Sequence, residues 1–447
     1  MKEFKQLKVS SLFLSVSVLA MFLLCPTGAR AQQYLTVDCT GANPSAYPSI
    51  NAALPNALPG AFILVTGPCT ENVNLNQVSN LNLGAYYGQT AVLNGGINIT
   101  NSDNVTLYGL NVTNTSGNGI SVSSSRGTQL NVCSSSGNFG LGLNVNGMSD
   151  VTVGASGAFS HNGSYGIDIT GNSLVAVVAW AGPVDISNNV GAGIWSSQGN
   201  FSTLGPTTIN NNVSNGSPNT GFGIILLGGA RAQIGALFGP NVVSGNPGGG
   251  ASVGENAEIS FWNIGPSNQI QNNGPVGVSA GLHSQVTFYD ISGPVGVVIT
   301  DHTSAGVELY AGSQANFFGV NQIMRNGSAS DSRSAGIRLD GNSEMYMRGG
   351  QVTQNNGPGI LALVNSSADF TGVTFSGNAQ GQAIACDTSS WMVSDLTKLG
   401  AYSPAGVACR TPHLLGNRGW LNAFTPNTDW SGPKARFDRY AKAAVKH

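Results

Sequence analysis

One segment of this chain joins two strand-like stretches at a fixed spacing, and it decides the fold. It reads Gly277-Val278-Ser279-Ala280-Gly281-Leu282-His283-Ser284-Gln285-Val286-Thr287-Phe288. A glycine followed by an apolar residue opens the first stretch, and a small residue opens the second stretch seven positions later. The opening glycine recurs, in steps of 27, 30, 27, 27, 29 and 30 residues, at Gly166, Gly193, Gly223, Gly250, Gly277, Gly306 and Gly336. A repeat of this length predicts a solenoid, because one such unit cannot bury its apolar side without its neighbours.

The second stretch follows its glycine at a constant distance, although the whole repeat varies in length. Its opening small residue lies seven positions after the glycine at Ser173, Ala257, Ser284, Ser313 and Ser343. The strands therefore keep their length while the loops vary, and neighbouring turns should lie about 4.8 Å apart. Equivalent side chains then form ladders, and one aromatic or sulfur-containing side chain per turn should stack inside the coil: Phe261, Phe288, Phe317 and Met347.

Pairs of asparagines precede several of the glycines. They occur at Asn188-Asn189, Asn272-Asn273 and Asn355-Asn356. Asparagine tolerates left-handed turn conformations, and its side-chain amide can hydrogen-bond along a stack. We expect these pairs to form the turns between strands.

The first 31 residues have the features of a secretory signal peptide. Lys2, Lys5 and Lys8 precede an apolar run from Leu12 to Leu24, and Ala29-Arg30-Ala31 provides a small-x-small cleavage site. We expect cleavage after Ala31 and export to the periplasm or the extracellular space. No later stretch reaches the roughly 18 uninterrupted apolar residues of a membrane helix, so no transmembrane segment is expected.

Five cysteines remain after this cleavage. Cys39 and Cys69 flank the N-terminal element, and Cys386 and Cys409 are 23 residues apart, which is close to one repeat. We expect each of these pairs to form a disulfide in an oxidising compartment, and Cys133 to stay free. None of the cysteines shows metal-ligand spacing with a histidine, so we expect neither a metal nor another cofactor.

The N-terminal segments resemble a known family. They read Val37-Asp38-Cys39, then Tyr47-Pro48-Ser49-Ile50, then Gly67-Pro68-Cys69-Thr70-Glu71-Asn72-Val73. With the repeats, they resemble the pectin lyase-like superfamily over about residues 34–410. The resemblance implies an all-β, right-handed, single-stranded parallel β-helix of about a dozen coils. A short helix would cap its first coil within residues 32–75, repeats would fill residues 76–409, and an irregular cap or tail would occupy residues 410–447.

The family's catalytic signatures are largely missing. There is no paired-aspartate set with Gly-His-Gly, as in polygalacturonases, and no pairing of two aspartates with Arg-x-Trp, as in pectin esterases. Tyr165-Gly166-Ile167-Asp168 resembles the start of the alginate epimerase motif, but Ile169-Thr170 stand where proline and the catalytic His-Asp would follow. His302 follows Asp301, and we interpret this histidine as a turn residue rather than a general base.

The register of the first strand predicts an outward-facing row of side chains. The row consists of Ser121, Gly142, Asp168, Trp195, Ile225, Ser252, Ser279, Glu308, Arg338 and Leu361, and a parallel row contains Tyr310 and Asp340. Glu308, Tyr310, Arg338 and Asp340 should form one exposed cluster. As candidate substrate-binding residues, joined by Asp168 and Trp195, they suit a polysaccharide: arginine binds a uronate, tyrosine stacks on a sugar, and the pair Glu308 and Asp340 is a candidate acid/base pair. The alternative is a ladder of cross-strand ion pairs.

Charge separates the predicted coil from its tail. Residues 32–409 hold 17 acidic and 7 basic side chains, a net charge of −10, whereas residues 410–447 hold 2 acidic and 7 basic, a net charge of +5. An acidic body is a poor partner for nucleic acid. The basic tail should cap the last turns, with binding to an anionic envelope or polymer as the alternative.

Two functions of different class remain open. One is a monomeric, secreted or cell-surface protein that binds glycans or serves as a scaffold without catalysis. The other is a polysaccharide lyase or hydrolase with its site on the first-strand face.

Overall fold

The computed structural model describes residues 32–394, apart from residues 87, 155, 215, 217–219, 291–294, 380–382 and 388, and the backbone of residues 414–416. The predicted signal peptide at residues 1–31 lies outside the described residues. So does the predicted cap at residues 410–447, except for the strand Leu414–Gly416.

The described chain winds into a right-handed parallel β-helix with three sheets, which confirms the predicted fold. Each full coil contributes one strand to the first sheet, then one to the second and one to the third. The first sheet has 13 strands, in agreement with about a dozen coils. All strand pairs in the three sheets are parallel, and Ile167 lies opposite Ile194, which lies opposite Ile224, as the predicted repeat requires.

The first sheet carries the row of side chains that the sequence singles out. Its strands are Val73–Asn76, Ile97–Thr100, Ile120–Ser123, Leu143–Asn146, Ile167–Thr170, Ile194–Ser197, Phe222–Leu227, Gly249–Val253, Val276–Ala280, Ala305–Leu309, Ala335–Leu339, Ile360–Ala362 and Ile384–Cys386.

The second sheet follows the first after a short turn. Its strands are Tyr34–Asp38, Phe62–Thr66, Asn82–Ala85, Thr106–Tyr108, Thr128–Asn131, Asp150–Val153, Leu174–Val177, Asn200–Thr203, Arg231–Ala236, Glu258–Asn263, Gln285–Asp290, Gln314–Phe318, Glu344–Arg348, Ser367–Thr371, Trp391–Ser394 and Leu414–Gly416.

The third sheet is interrupted once. Its first part contains Ala91–Asn94, Leu110–Thr113 and Ser134–Ser135. Its second part contains Val184–Ser187, Thr207–Asn210, Val242–Ser244, Gln269–Gln271, Val298–Thr300, Gln322–Met324, Gln351–Thr353 and Thr374–Ser376. Single bridges through Ala158 connect the two parts.

The predicted internal ladder is present. Phe261, Phe288, Phe317 and Met347 lie opposite one another on successive strands of the second sheet, and all four are fully buried. The ring centroids of Phe261 and Phe288 are 5.4 Å apart, and those of Phe288 and Phe317 are 4.6 Å apart. One large side chain per coil therefore fills the core.

A second, polar ladder explains why the repeat begins with glycine. Buried asparagines between the third and first sheets donate side-chain amides to one another, as Asn189 does to the Oδ1 atom of Asn212 at 2.9 Å. A β-carbon on Gly166 would lie 2.7 Å from the Nδ2 atom of Asn189 and 2.7 Å from the carbonyl oxygen of Gly193. Close packing, rather than an unusual φ angle, therefore requires the glycine.

The predicted asparagine turns are confirmed at two of the three pairs. Asn188 and Asn272 have left-handed φ angles of 55° and 51°, and the asparagine after each joins the polar ladder. The third pair is shifted by one residue. Gln354 takes the left-handed conformation there, Asn355 joins the ladder, and Asn356 donates instead to the carbonyl oxygen of Gly327 at 2.9 Å.

The predicted N-terminal cap is a short helix, Ile50–Ala53, followed by a 3₁₀ helix, Leu54–Asn56. Ser49 caps the helix, because its Oγ atom accepts a hydrogen bond from the backbone N–H of Ala52 at 3.1 Å. The carboxylate of Glu71 accepts the backbone N–H groups of Ile50 and Asn51 at 2.7 and 3.0 Å. None of the helices among the described residues is long and apolar enough to span a membrane.

The cysteines follow the predicted pattern as far as the described residues show. Cys39 and Cys69 form a disulfide, and Cys133 is a buried free thiol. Cys409 lies outside the described residues, so its pairing with Cys386 stays a prediction.

Candidate functional site

The outer face of the first sheet carries the predicted row with one correction. Asp168 lies opposite Trp195, Trp195 opposite Ile225, and Glu308 opposite Arg338. The predicted member Gly142 is wrong, because Asn144 occupies that place between Ser121 and Asp168.

The error at Gly142 arises from two nearby glycines. The prediction treats Gly140 as the opening glycine, which would make the next apolar residue Leu141. In the structure the opening glycine is Gly142: a β-carbon there would lie 2.6 Å from the Nδ2 atom of Asn162, a member of the polar ladder. Leu143 therefore points inwards, and Asn144 points outwards.

An aromatic–carboxylate cluster lies on this face, formed by Tyr165, Asp168 and Trp195. The rings of Tyr165 and Trp195 are stacked with centroids 5.7 Å apart and planes at 6°. Asp168 and Trp195 are direct cross-strand neighbours. The Oδ1 atom of Asp168 is buried and, among the described residues, has no hydrogen-bond partner. Burying a carboxylate oxygen without a hydrogen-bond donor costs free energy.

Burial also changes the acidity of this cluster. Loss of solvent raises the pKa of Asp168 to about 6. Burial, and secondarily the charge of Asp168, raise the pKa of Tyr165. At neutral pH the cluster therefore holds a carboxylate that is largely ionised and a phenol that keeps its proton. Such a carboxylate can accept a hydroxyl hydrogen bond beside an apolar aromatic surface.

The predicted residues Glu308 and Arg338 form an ion pair that is largely buried. Their side chains are only 18% and 11% exposed. Arg338 also donates to the carbonyl oxygen of Arg333 at 3.2 Å, while its Nε atom is buried and lacks a partner among the described residues. The expected surface position of Arg338 is therefore wrong, because its guanidinium folds down onto the neighbouring coil instead of extending into solvent.

The other two members of the predicted cluster point elsewhere. Asp340 pairs with the exposed Arg333, not with Arg338. The ring of Tyr310 lies over Gly281 on the preceding coil, in the space that a β-carbon would occupy there. The structure therefore brings Glu308 and Arg338 together, as well as Asp168 and Trp195. These two pairs do not form one site, because four strand spacings, about 19 Å, separate Trp195 from Glu308.

His302 occupies a position in the polar ladder. Its Nε2 atom lies 3.1 Å from the carbonyl oxygen of Ile270, and its backbone N–H donates to the Oδ1 atom of Asn326 at 3.2 Å. Burial lowers the pKa of His302 to about 4, so the ring is neutral at pH 7. These contacts support its interpretation as a structural turn residue.

One group of metal-ligand atoms comes together among the described residues, at Cys39, Cys69 and Glu71. The two sulfurs are bonded to each other, and the Glu71 carboxylate accepts two helix N–H groups. These atoms are therefore engaged in the fold.

The predicted set lacks one member of the cluster, Tyr165, and one cross-strand neighbour of Asp168, Asn144. Tyr165 precedes its glycine, in a turn rather than in the outward row, and Asn144 is hidden by the choice of Gly140 as the opening glycine. The sequence does contain a signal for Tyr165. This aromatic residue directly precedes the opening glycine Gly166, one repeat before the coil that holds Trp195, so the two rings lie on adjacent coils.

The fold and this face define a right-handed parallel β-helix protein with a partly buried aromatic–carboxylate cluster on its first sheet. Among solved structures, the chain is similar to the AlgE6 A-module of a mannuronan C-5 epimerase of Azotobacter vinelandii, at 14% identity and a TM-score of 0.41, over 82% of this chain and 92% of that chain. It is similar to the AlgE4 A-module of the same organism's mannuronan C-5 epimerase, at 12% identity and a TM-score of 0.36, over 86% and 100% of the two chains. It is also similar to the pectate lyase Pel9A, at 14% identity and a TM-score of 0.32, over 81% and 82%. No protein-family model and no curated protein matches the chain.

Proposed function

We propose that this protein is an exported, non-catalytic carbohydrate-binding β-helix, and that the aromatic–carboxylate cluster of Tyr165, Asp168 and Trp195 holds a neutral sugar unit. The observation that carries the proposal is the buried Oδ1 atom of Asp168, which has no hydrogen-bond donor among the described residues. A bound sugar hydroxyl supplies that donor.

The chemistry of the cluster suits a sugar on two counts. A hydrogen bond from a hydroxyl to an ionised carboxylate contributes about 1.5–3 kcal/mol. The stacked rings of Tyr165 and Trp195 offer an apolar edge for the C–H groups of the same sugar. The unpaired negative charge favours a neutral sugar over a uronate, whose carboxylate Asp168 would repel.

Catalysis needs a second proton-transfer group near Asp168. Its cross-strand neighbours are Asn144 and Trp195, neither of which titrates. Tyr165 titrates, but its raised pKa keeps the proton on the phenol at neutral pH. These neighbours therefore do not provide Asp168 with a second group whose pKa suits general acid or base catalysis.

A second candidate function is a polysaccharide lyase or hydrolase. One observation favours it: the pKa of Asp168 is raised to about 6, and perturbed carboxyl groups are common among general acids and bases. In that case Asp168 would transfer the proton, and the substrate would have to provide or recruit the second group.

Export to an oxidising compartment is part of the proposal. It is supported by the disulfide between Cys39 and Cys69, a bond that cytosolic proteins seldom keep. We also propose that the protein is a monomer and that its partner is a polysaccharide.

The test is affinity electrophoresis of the mature protein in gels that contain galactomannan, xylan, alginate or polygalacturonate. We expect retardation by a neutral polysaccharide, and a loss of about tenfold or more in affinity for Trp195→Ala, as expected when a stacking ring and its contacts are removed. The matched control is Trp180→Ala, which removes a tryptophan that is 55% exposed on a turn outside the cluster. Equal affinity of the two variants would remove the cluster from the binding site. Release of reducing ends or unsaturated products from any of these polysaccharides would favour the enzyme.

A further inference from the structure

A row of aromatic side chains runs along the outer face of the second sheet. Trp262, Tyr289 and Phe318 lie opposite one another on three successive strands. The rings of Tyr289 and Phe318 are stacked, with centroids 5.1 Å apart and planes at 10°. At one end of the row Trp262 stands at 74° to Tyr289, and at the other end Tyr346 stands at 52° to Phe318. The row repeats with the spacing of the coils, about 4.8 Å.

The row is an apolar strip beside polar residues. The adjacent outward positions on the same three strands hold Ser260, Thr287 and Asn316. The inward positions of the same strands already hold the buried Phe261, Phe288 and Phe317. Of the outward rings, Trp262 is itself buried, at 5% exposure, whereas Tyr289 and Phe318 are partly exposed. Ser260 and Thr287 are buried and Asn316 is partly exposed. Partly exposed aromatic rings beside an amide group form a surface on which sugar rings pack.

A polar group closes one end of the row. The guanidinium of Arg348 lies 4.5 Å from the ring centroid of Tyr346, and it donates to the hydroxyl oxygens of Tyr346 and Thr371. Asp369 lies opposite Tyr346 on the next strand. Its Oδ1 atom is buried and lacks a hydrogen-bond partner among the described residues. Burial raises the pKa of Asp369, and this effect outweighs the lowering by the nearby Arg348.

The charges on this face select against polyanions. The outward residues of these strands and their ends include the acidic Glu258, Asp290, Glu344 and Asp369, against the basic Arg231 and Arg348. The balance is negative, so a uronate polymer or a nucleic acid would meet repulsion.

We propose that Tyr289, Phe318 and Tyr346, together with Arg348 and Asp369, form a second carbohydrate site, which binds a neutral polysaccharide laid along the helix axis. The buried Trp262 supports the ring of Tyr289 at one end of this site. Tyr289, Phe318 and Tyr346 contact successive sugar units, and the Oδ1 atom of Asp369 accepts a hydroxyl hydrogen bond at the end of the row. The site lies on a different sheet from the aromatic–carboxylate cluster of Tyr165, Asp168 and Trp195. Two such faces on one rigid coil allow the protein to hold two stretches of a polymer at once.

The test compares variants of the whole mature protein by affinity electrophoresis in galactomannan, xylan and hydroxyethylcellulose, with polygalacturonate as the anionic comparison. Asp369→Asn keeps the size of the side chain and removes its charge. We expect it to weaken binding to a neutral polysaccharide about tenfold, the size expected for a lost hydrogen bond to a charged group. Phe318→Ala should weaken the same binding at least as much. Tyr108→Ala is the matched control, because it removes an exposed ring from the same sheet, six strands away from Trp262, and should change affinity by less than about twofold.

The outcomes separate the two faces. A loss of affinity in Asp369→Asn that is absent in Tyr108→Ala supports the second site. Unchanged affinity in Asp369→Asn, stronger retardation by polygalacturonate than by the neutral polymers, or no binding to any of them overturns it. If Trp195→Ala alone abolishes binding, the second site is wrong and the proposed function on the first sheet stands. If Asp369→Asn weakens binding and Trp195→Ala does not, the second site stands and the first is wrong.

Discussion

The guanidinium of Arg338 is hydrogen-bonded to the carboxylate of Glu308, directly opposite it on the preceding coil, and both side chains are mostly buried on the outer face of the first sheet. A pair in this position ties two coils together. Removing one partner from this pair should therefore cost more stability than breaking an exposed ion pair elsewhere on the coil.

Arg338→Ala should lower the free energy of unfolding by about 3 kcal/mol, because it leaves the carboxylate of Glu308 partly buried without its partner. Urea unfolding monitored by circular dichroism measures this. The matched control is Arg231→Ala, which breaks an ion pair with Glu258 whose side chains are 72% and 40% exposed. That control should cost less than about 0.5 kcal/mol. Similar losses in the two variants would contradict the burial of the Arg338 pair.

His302→Asn should make the stability of the protein less sensitive to acid. The pKa of His302 is lowered to about 4 in the folded chain, whereas a histidine in an unfolded chain titrates near 6.5. As the pH falls below about 6.5 the unfolded chain binds a proton that the folded chain does not. The stabilisation by the neutral ring is therefore complete above about 6.5 and is lost progressively down to about 4.

Asparagine fills the same ladder position on neighbouring coils and does not titrate in this range. Urea midpoints at pH 7 and pH 5 test the prediction. The wild-type protein should lose more stability between these two values than His302→Asn. Equal losses would show that the ring is not held neutral by the ladder.

Asp168→Asn should stabilise the protein at pH 7 by about 1–2 kcal/mol, after allowance for partial solvent screening. The pKa of Asp168 is raised to about 6, so at pH 7 folding holds an ionised group in an environment that disfavours its charge. The unfavourable term shrinks as the pH falls from about 6 towards about 4, because the folded carboxyl takes up a proton before the unfolded one does. The advantage of the variant should therefore shrink at pH 5. A variant that is less stable than the wild type at pH 7 would show that the carboxylate stabilises the fold.

Cys386 and Cys409 should be joined in a disulfide near the C-terminal end of the coil. Peptide mapping of the purified protein under non-reducing conditions checks this pairing. Recovery of Cys133 in a disulfide with either of them would contradict it, and would conflict with the burial of Cys133 in the core.

Much of the fold follows from the spacing of the sequence. The stack of Phe261, Phe288 and Phe317 was predictable because parallel coils keep equivalent residues in register, and the opening glycines mark that register. At Gly140 and Gly142 the spacing is ambiguous, since either glycine can precede an apolar residue. Only the position of the Asn162 amide decides between them.

The candidate site was predictable to a smaller extent. The row of Asp168 and Trp195 follows from strand alternation, but the direction in which a long side chain bends does not. Arg338 therefore lies against Glu308 and Arg333 on the outer face, and Tyr310 bends back over Gly281, for reasons that depend on neighbouring coils. The aromatic row at Tyr289 and Phe318 lies on the outer face of the second sheet. Strand alternation predicts this row as well, when it is applied to the second strand of each repeat.

The pH dependence of glycan binding tests the central claim most directly, because it reports on the carboxylate of Asp168 itself. Affinity for the neutral polysaccharide that the protein binds best should be constant above about pH 7 and fall as Asp168 takes up a proton near pH 6. In Asp168→Asn the affinity should be weaker at pH 7, and the fall near pH 6 should be absent. An affinity in the wild-type protein that stays constant between pH 7.5 and pH 5, or a fall of equal size in Asp168→Asn, would contradict the assignment of this site.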